Sequence, residues 1–243
     1  MIDTATRPFA AADARRIAAA FLPAHPFGNR YDYYYTQAKL RSDPLYPGVL
    51  AALRGTTAPV LDLGCGLGLL LHALRLDGQR QAYHGVDIDA AKIRRAGPIA
   101  ARAGLDDARF AVADLGGGPP DHAGSVAILD VLQYLDAARQ AALLDDAIAM
   151  LVPGAKLVIR SGLGDDTARG RTTRITDRLA HLFGWMQEIP RCYPTRAGLE
   201  SQLRAAGLAV DFRPLYGDTP FNNWLVVATP SAGVAPGSTM HHA

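Results

Sequence analysis

Three glycines stand at alternate positions, Gly64, Gly66 and Gly68, in the stretch VLDLGCGLGLLLHAL at residues 60–74. Glycine permits a positive φ and has no Cβ to hold a ligand away from the backbone. The stretch predicts a tight turn between an apolar strand and a helix. Free N–H groups at a helix start favour polar or anionic groups. The turn also contains Cys65, which we expect to be small and buried rather than a nucleophile.

The spacing of these glycines separates two classes of ligand. A loop that binds a dinucleotide is spaced GxGxxG, whereas here the third glycine comes one residue early and Leu69 stands in its place. Asp62, two residues before the first glycine, adds nothing to a pyrophosphate site but suits a ligand that carries an ammonium group. The alternative is that Asp62 only caps the turn.

Three more carboxylates follow apolar runs. Asp87 ends YHGVD, Asp114 ends FAVAD and Asp130 ends ILD. At the end of a second strand, Asp87 suits a ribose diol, and Asp114 suits an exocyclic adenine amine. Each could instead cap the element that follows it, although Asp89 is the better cap for the helix after Asp87.

An alternating α/β sheet is needed to position these residues. Strand-like runs are predicted at 59–63, 82–86, 109–113, 126–129 and 156–160, with helices at 69–76, 90–103 and 137–151 between them. This alternation predicts a doubly wound parallel sheet. A helix at 196–206 then precedes two strands, 208–214 and 223–228, which we expect to pair antiparallel. Further helices are predicted at 10–21, 49–53 and 173–187.

The amino-acid composition limits the classes of binding partner that the protein is expected to have. The 243 residues are 49% apolar with a net charge of +2, which is too small to indicate a nucleic-acid or membrane partner. The two cysteines form no disulfide framework, so we expect a cytoplasmic protein. No signal peptide and no membrane-spanning stretch is expected.

Five motifs together resemble the class I S-adenosylmethionine-dependent methyltransferases. They are DLGCGLG at 62–68, GVDID at 85–89, VADL at 112–115, LDVLQYL at 129–135 and LVPGAKLVI at 151–159. The resemblance implies a Rossmann-like seven-stranded sheet in the order 3-2-1-4-5-7-6 with the last strand antiparallel. It also implies an N-terminal helical lid (1–57) and a core (58–229) with an acceptor-side insertion (162–195). The segment 230–243 is rich in Pro, Gly and Ser, which predicts a disordered tail.

The resemblance further implies S-adenosylmethionine as cofactor, with no metal. The glycine loop would pack on its methionine part, Asp62 would hold its ammonium group, and Asp87 would bind its ribose. The remaining implied cofactor contacts are Cys65, Ile88, Asp114, the backbone N–H of Leu115, Asp130 and Gln133. Many relatives have His in place of Gln133, and glutamine cannot act as a base.

The tyrosine-rich segment at 29–40 belongs to the implied lid. Tyr35 and Lys39 lie one helical turn apart, and Lys39 could meet the cofactor carboxylate. Tyr31 and Tyr34 would contact the acceptor. The alternative is an amphipathic helix that packs its tyrosines on the sheet.

The acceptor wall is predicted from Arg160 and the insertion, with Trp185 and Tyr193 as contacts. A solvated helix face is the alternative for most of this segment. His181 and Tyr134 are the candidates for a general base. The predicted reaction is O- or C-methylation of a small aromatic or polyketide-like molecule, in bacterial secondary metabolism, by a possible homodimer. A non-catalytic cofactor-binding scaffold is the main alternative, and the early third glycine disfavours a dinucleotide oxidoreductase.

Overall fold

A computed structural model describes residues 7–164, 192–217 and 222–231. These residues contain a seven-stranded sheet in the order β3-β2-β1-β4-β5-β7-β6, as predicted. The strands are β1 Val60–Leu63, β2 Tyr83–Asp87, β3 Ala108–Val112, β4 Ser125–Leu129, β5 Leu157–Gly162, β6 Leu208–Pro214 and β7 Asn223–Pro230. The α-helices are α1 Ala11–Ala18, α2 Tyr31–Ser42, α3 Leu45–Leu53, α4 Leu69–Leu76, α5 Ala90–Arg102, α6 Ala137–Ala149 and α7 Arg196–Ala205.

Strands β1 to β5 run parallel, and β7 is antiparallel to both of its neighbours. β1 lies between β2 and β4, so the connections from β1 and from β4 leave on opposite sides of the sheet. A ligand in an open α/β sheet binds at such a point, outside the carboxyl ends of the strands. Gly64 and Asp87 both lie at this edge.

The sheet is buried on both faces. All four residues of β1 are buried, as its central place requires. One apolar core joins the sheet to α1, α3 and α4, and the other joins it to α6 and α7. α3 therefore shares a core with β1, through residues such as Leu53 and Val60.

The segment before β1 is helical. The predicted helix 10–21 is observed as α1 followed by a 3-10 turn, Ala19–Phe21. The tyrosine-rich segment forms α2, whose last turn is tied to the chain before α1 by the bond from Phe9 N to Leu40 O (3.0 Å). The predicted helix 173–187 and the tail from 232 lie outside the described residues. Within the described ranges, no helix has the length and apolarity needed to cross a bilayer.

Candidate cofactor and acceptor site

The glycine loop joins β1 to α4 at the carboxyl edge of the sheet. Gly64, Gly66 and Gly68 all have positive φ, at 83°, 56° and 78°. A Cβ on Gly68 would lie 2.6 Å from the ring of Phe110, whereas a Cβ on Gly66 would meet nothing within 4 Å. Packing therefore demands glycine at position 68. At position 66 the chain leaves open space directly above its backbone.

Asp87 fastens this loop to the end of β2. Its Oδ2 accepts from Gly66 N (2.8 Å) and its Oδ1 accepts from Asp89 N (2.9 Å). Each carboxylate oxygen keeps a second lone pair for a ligand hydroxyl. Asp89, and not Asp87, caps α5 by accepting from Ala91 N and Lys92 N.

Ile88 is 67% exposed beside Asp87. A large aliphatic side chain at that exposure offers an apolar surface next to the carboxylate. Asp114 lies just after the end of β3 and is also exposed. Its Oδ1 accepts from Gly116 N (2.9 Å), so that it caps the 3-10 turn Leu115–Gly117. The capping alternative therefore holds for Asp114, and its other oxygen is left for a ligand amine.

Asp62 is 2% exposed at the third position of β1. Its Oδ2 accepts a hydrogen bond from Tyr83 Oη at 2.6 Å. Burial raises the pKa of Asp62 to about 7; the bond from Tyr83 lowers it, and the nearby Asp87 carboxylate raises it. The same burial raises the pKa of the Cys65 thiol well above its ordinary range. Cys65 is a free cysteine and is buried, as predicted.

Four charged side chains meet at the ends of α2, β4 and β5. Asp43 Oδ2 lies 2.6 Å from Lys39 Nζ and 3.0 Å from Arg160 Nη2. Arg160 Nη1 also pairs with both oxygens of Asp130, which lies 3.6 Å from Lys39. We call Lys39, Asp43, Asp130 and Arg160 the charge cluster. It brings together three predicted site residues and one, Asp43, that the sequence did not single out.

Asp130 has a φ of 60°, which is rare for a residue with a side chain. Burial lowers the pKa of Lys39, but Asp43 and Asp130 together raise it above its ordinary value. Burial likewise favours neutral Asp43, yet Arg160 and Lys39 hold its pKa below the ordinary value. Lys39 and Asp43 are therefore both charged at neutral pH.

The chain after β4 borders the same edge. Ser161 Oγ lies 3.2 Å from Gln133 Oε1, and both side chains are buried. Cys192 N donates to Gln133 O (3.2 Å), so this loop holds the chain where it returns from the insertion. Tyr193 packs on the end of β5, where a Cβ on Gly162 would lie 3.0 Å from its ring. Tyr134 lies in the 3-10 turn Leu132–Tyr134, half-buried.

The tyrosines of α2 are largely exposed. Tyr31 and Tyr34 are 57% and 58% exposed, and Tyr35 stacks on Tyr31 with ring centroids 5.9 Å apart. They are not packed on the sheet, contrary to the amphipathic alternative. Arg95 of α5 pairs with Asp32 near the start of α2 (2.6 Å). α2 is thus tied to α5 at one end and to β5, through Asp43, at the other.

Two predicted residues, His181 and Trp185, lie outside the described residues. Sequence reasoning missed Asp43, Tyr83 and Tyr46. Tyr46 on α3 is half-buried; burial raises its pKa well above the ordinary value, and Tyr35, Asp62, Asp130 and Asp43 add to this. The position of Tyr83, on the strand that ends in Asp87, was the available signal. Within the described ranges, no group of three or more His, Cys, Asp or Glu side chains is arranged to hold a metal ion.

Comparison with protein families gives one match. The profile of a family described as "methyltransferase domain" matches residues 34–211, which is well over half of the chain. No curated protein sequence matches the chain.

Solved structures share the fold at low sequence identity. The magnesium protoporphyrin IX methyltransferase of Synechocystis PCC 6803, with bound S-adenosylhomocysteine, is 17% identical, with 89% of this chain and 93% of that one covered (TM-score 0.60). An O-methyltransferase family protein from Burkholderia thailandensis is 19% identical over 92% of this chain and 69% of its own (TM-score 0.57).

A third structure is an O-methyltransferase from neocarzinostatin biosynthesis, in complex with S-adenosylmethionine and 2-hydroxy-5-methyl naphthoic acid. It is 19% identical over 83% of this chain (TM-score 0.58). The aligned part spans 57% of that enzyme. At these low sequence identities, the three structures show that this chain shares their fold.

Proposed function

Because the chain belongs to the class I S-adenosylmethionine-dependent methyltransferases, we propose that it transfers a methyl group from S-adenosylmethionine to a small-molecule acceptor. The acceptor atom is an oxygen, or a carbon, of an aromatic or polyketide-like compound. The observation that carries the cofactor assignment is the junction of Gly66 and Asp87. There the backbone of an open turn donates a hydrogen bond to a carboxylate, at the point of the sheet where the connections change sides.

The residues at this junction suit each part of the cofactor. Asp87 keeps a free lone pair on each oxygen for the ribose hydroxyls, with Ile88 beside it for the adenine face. Asp114 and the N–H of Leu115 lie shortly after the end of β3, where they would bind the adenine. Asp62 and Lys39 supply opposite charges for the ammonium and carboxylate of the methionine part. The open space above Gly66 accommodates the chain that connects these groups.

When bound, S-adenosylmethionine supplies a methyl group on a positively charged sulfur, and the sulfur leaves as a neutral thioether. The main task of the chain is therefore alignment, which can contribute on the order of 7–11 kcal/mol. Asp130 and Gln133 border the methionine end and keep the acceptor in line. A hydroxyl acceptor passes its proton to a base, which contributes roughly 10²–10⁴-fold. Tyr134 and His181 are the proposed bases, and an acceptor that arrives ionised needs neither.

The acceptor would lie between α2 and the end of β5. Tyr31 and Tyr34 offer exposed aromatic surface on α2, and the half-buried Tyr193 packs on the end of β5. The O-methyltransferase from neocarzinostatin biosynthesis is in complex with an aromatic compound of this kind, 2-hydroxy-5-methyl naphthoic acid. Arg160 is 4% exposed and already paired with two carboxylates. We therefore assign it the role of holding Asp130 in place, and not a contact with the acceptor.

A non-catalytic scaffold that binds S-adenosylmethionine is the alternative function, since the residues above account for binding alone. Turnover separates the two. Incubation with S-adenosylmethionine and a panel of phenolic and naphthoic acceptors should release S-adenosylhomocysteine. If the chain binds cofactor but releases none with any acceptor, the scaffold function is favoured.

The first experiment is titration calorimetry with S-adenosylhomocysteine on wild type, Asp87→Ala and Asp211→Ala. Asp211 lies on the edge strand β6 and pairs only with Arg213 among the described residues, so its variant is the matched control. We expect binding to wild type and the control and a loss of at least tenfold in Asp87→Ala. If wild type binds NAD instead, the cofactor assignment is wrong.

A further inference from the structure

A buried tyrosine supports the carboxylate that is proposed to hold the cofactor's ammonium group. Tyr83 and Asp62 are both 2% exposed, and they lie on adjacent parallel strands. Tyr83 stands opposite Val60 in the register, and Asp62 stands opposite Gly85. The phenol therefore crosses diagonally to the carboxylate, and Tyr83 Oη donates to Asp62 Oδ2 at 2.6 Å.

This hydrogen bond is the one that Asp62 accepts within the described part of the chain. A buried carboxylate requires partners for both oxygens. Tyr83 satisfies Oδ2, so Oδ1 retains its full capacity to accept. The glycine loop begins two residues later, and Oδ1 thus suits a cationic donor on a ligand in that loop.

We propose that Tyr83 is a positioning residue of the cofactor site, whose hydroxyl fixes the Asp62 carboxylate so that its second oxygen accepts the cofactor's ammonium group. The inference rests on the proposed function. Tyr83 itself contacts no cofactor. Its ring packs against Phe110 with centroids 5.9 Å apart, and Phe110 in turn fills the space beside Gly68.

The groups around Asp62 make its ionisation, and therefore the effect of the Tyr83 hydrogen bond, depend on pH. The titratable groups around it are Tyr83 and Asp87 from β2, Cys65 from the loop and Tyr46 from α3. None of them is a cation. Burial raises the pKa of Asp62 to about 7, and the Tyr83 bond opposes this rise. Loss of the phenol hydroxyl should therefore move the ionisation of Asp62 to higher pH.

The test compares two ligands on Tyr83→Phe. S-adenosylhomocysteine carries the ammonium group, and 5′-methylthioadenosine lacks the whole amino-acid part. Affinities are measured by calorimetry from pH 6 to pH 9, with unfolding temperature as a check of the fold. Tyr33→Phe is the matched control, since among the residues that the structure describes its hydroxyl accepts only one long hydrogen bond, from Gln37 on α2 (3.4 Å).

We expect Tyr83→Phe to bind S-adenosylhomocysteine about tenfold more weakly at pH 7 and to recover at higher pH, with the affinity for methylthioadenosine within twofold of wild type. Equal losses for both ligands would mean that Tyr83 only supports the fold. An unchanged affinity for S-adenosylhomocysteine would also overturn the inference. If wild type binds neither ligand, the proposed function itself fails.

Discussion

The guanidinium of Arg160 lies 3.0 Å from the carboxylate of Asp43, which joins the end of β5 to the turn after α2. Both side chains are almost fully buried, at 5% and 8% exposed. Asp43 also accepts from Leu45 N (2.9 Å) at the start of α3. One carboxylate thus fixes the last turn of α2, the first turn of α3 and the sheet edge beside the site.

Loss of the negative charge at Asp43 should destabilise the protein. Asp43→Asn keeps the oxygen that accepts from Leu45 N but leaves the buried Arg160 with Asp130 as its remaining carboxylate. Removal of one partner from a buried pair costs about 3–5 kcal/mol; because Asp130 remains, we expect the lower end of that range. Urea unfolding measures the change.

The exposed pair Arg213–Asp211 on β6 gives the control. Asp211→Asn should change the free energy of unfolding by less than about 1 kcal/mol. Equal effects of the two variants would show that burial of the Asp43–Arg160 pair adds nothing.

The open turn at Gly66 should be required for binding and not for folding. Gly66 has φ 56° and Gly78, after α4, has φ 81°; a Cβ at either would meet nothing within 4 Å. Alanine at each should therefore cost a similar backbone strain of about 1–2 kcal/mol. We expect Gly66→Ala alone to lose at least tenfold in affinity for S-adenosylhomocysteine by calorimetry. Comparable losses in Gly78→Ala would trace the effect to stability.

Lys39 should act on the carboxylate of the cofactor and not on its nucleoside. The Lys39 ammonium group has three N–H donors, and the hydrogen bond to Asp43 uses one of them. Asp130 lies farther away, at 3.6 Å. Lys39→Met should weaken S-adenosylhomocysteine about tenfold and leave 5′-methylthioadenosine within twofold, by calorimetry at one ionic strength. A parallel loss for both ligands would assign Lys39 to the structure of the charge cluster alone.

The sheet and the cofactor edge could be predicted because each motif lies within one strand–loop–helix unit. The predicted strand 208–214 matches Leu208–Pro214, and the helix 69–76 matches Leu69–Leu76. Glycine spacing and an acid at a strand end are local features. The sequence therefore predicted where Gly66 and Asp87 lie.

The supporting contacts could not be predicted in the same way. Asp43 and Arg160 are 117 residues apart, and no local pattern pairs them. Arg160 was predicted as a pocket wall because the predicted strand 156–160 ends there, whereas the observed β5 continues to Gly162. Two carboxylates from different elements hold its side chain in the charge cluster. The contact between Tyr83 and Asp62 could not be predicted for the same reason, since it depends on the register between β1 and β2.

Protonation of His72 should lower stability in mild acid. His72 on α4 is 4% exposed and packs against Phe21 with ring centroids 5.0 Å apart. Burial, aided by Arg102, lowers its pKa from 6.5 to about 4. The unfolded chain therefore binds more protons between these values. Above pH 6.5 His72 is neutral in both states and costs no stability. Its titration should lower the free energy of unfolding by on the order of 3 kcal/mol as the pH drops to 4.

Two variants separate titration from packing at this position. His72→Leu removes this titration, so its free energy of unfolding should fall less than that of wild type as the pH drops from 6.5 to 4, measured by urea titration at half-unit steps. The raised pKa of Asp62 acts in the opposite direction in both proteins, because the folded state binds that proton at higher pH than the unfolded chain does. Phe21→Leu removes ring contacts and should lower stability by a similar amount at each pH. The depressed pKa of Asp43 makes its contribution present above its ordinary value of 3.8 and lost as the pH falls further, so it acts below the His72 interval. A pH slope in His72→Leu as steep as that of wild type would assign the acid sensitivity to another group.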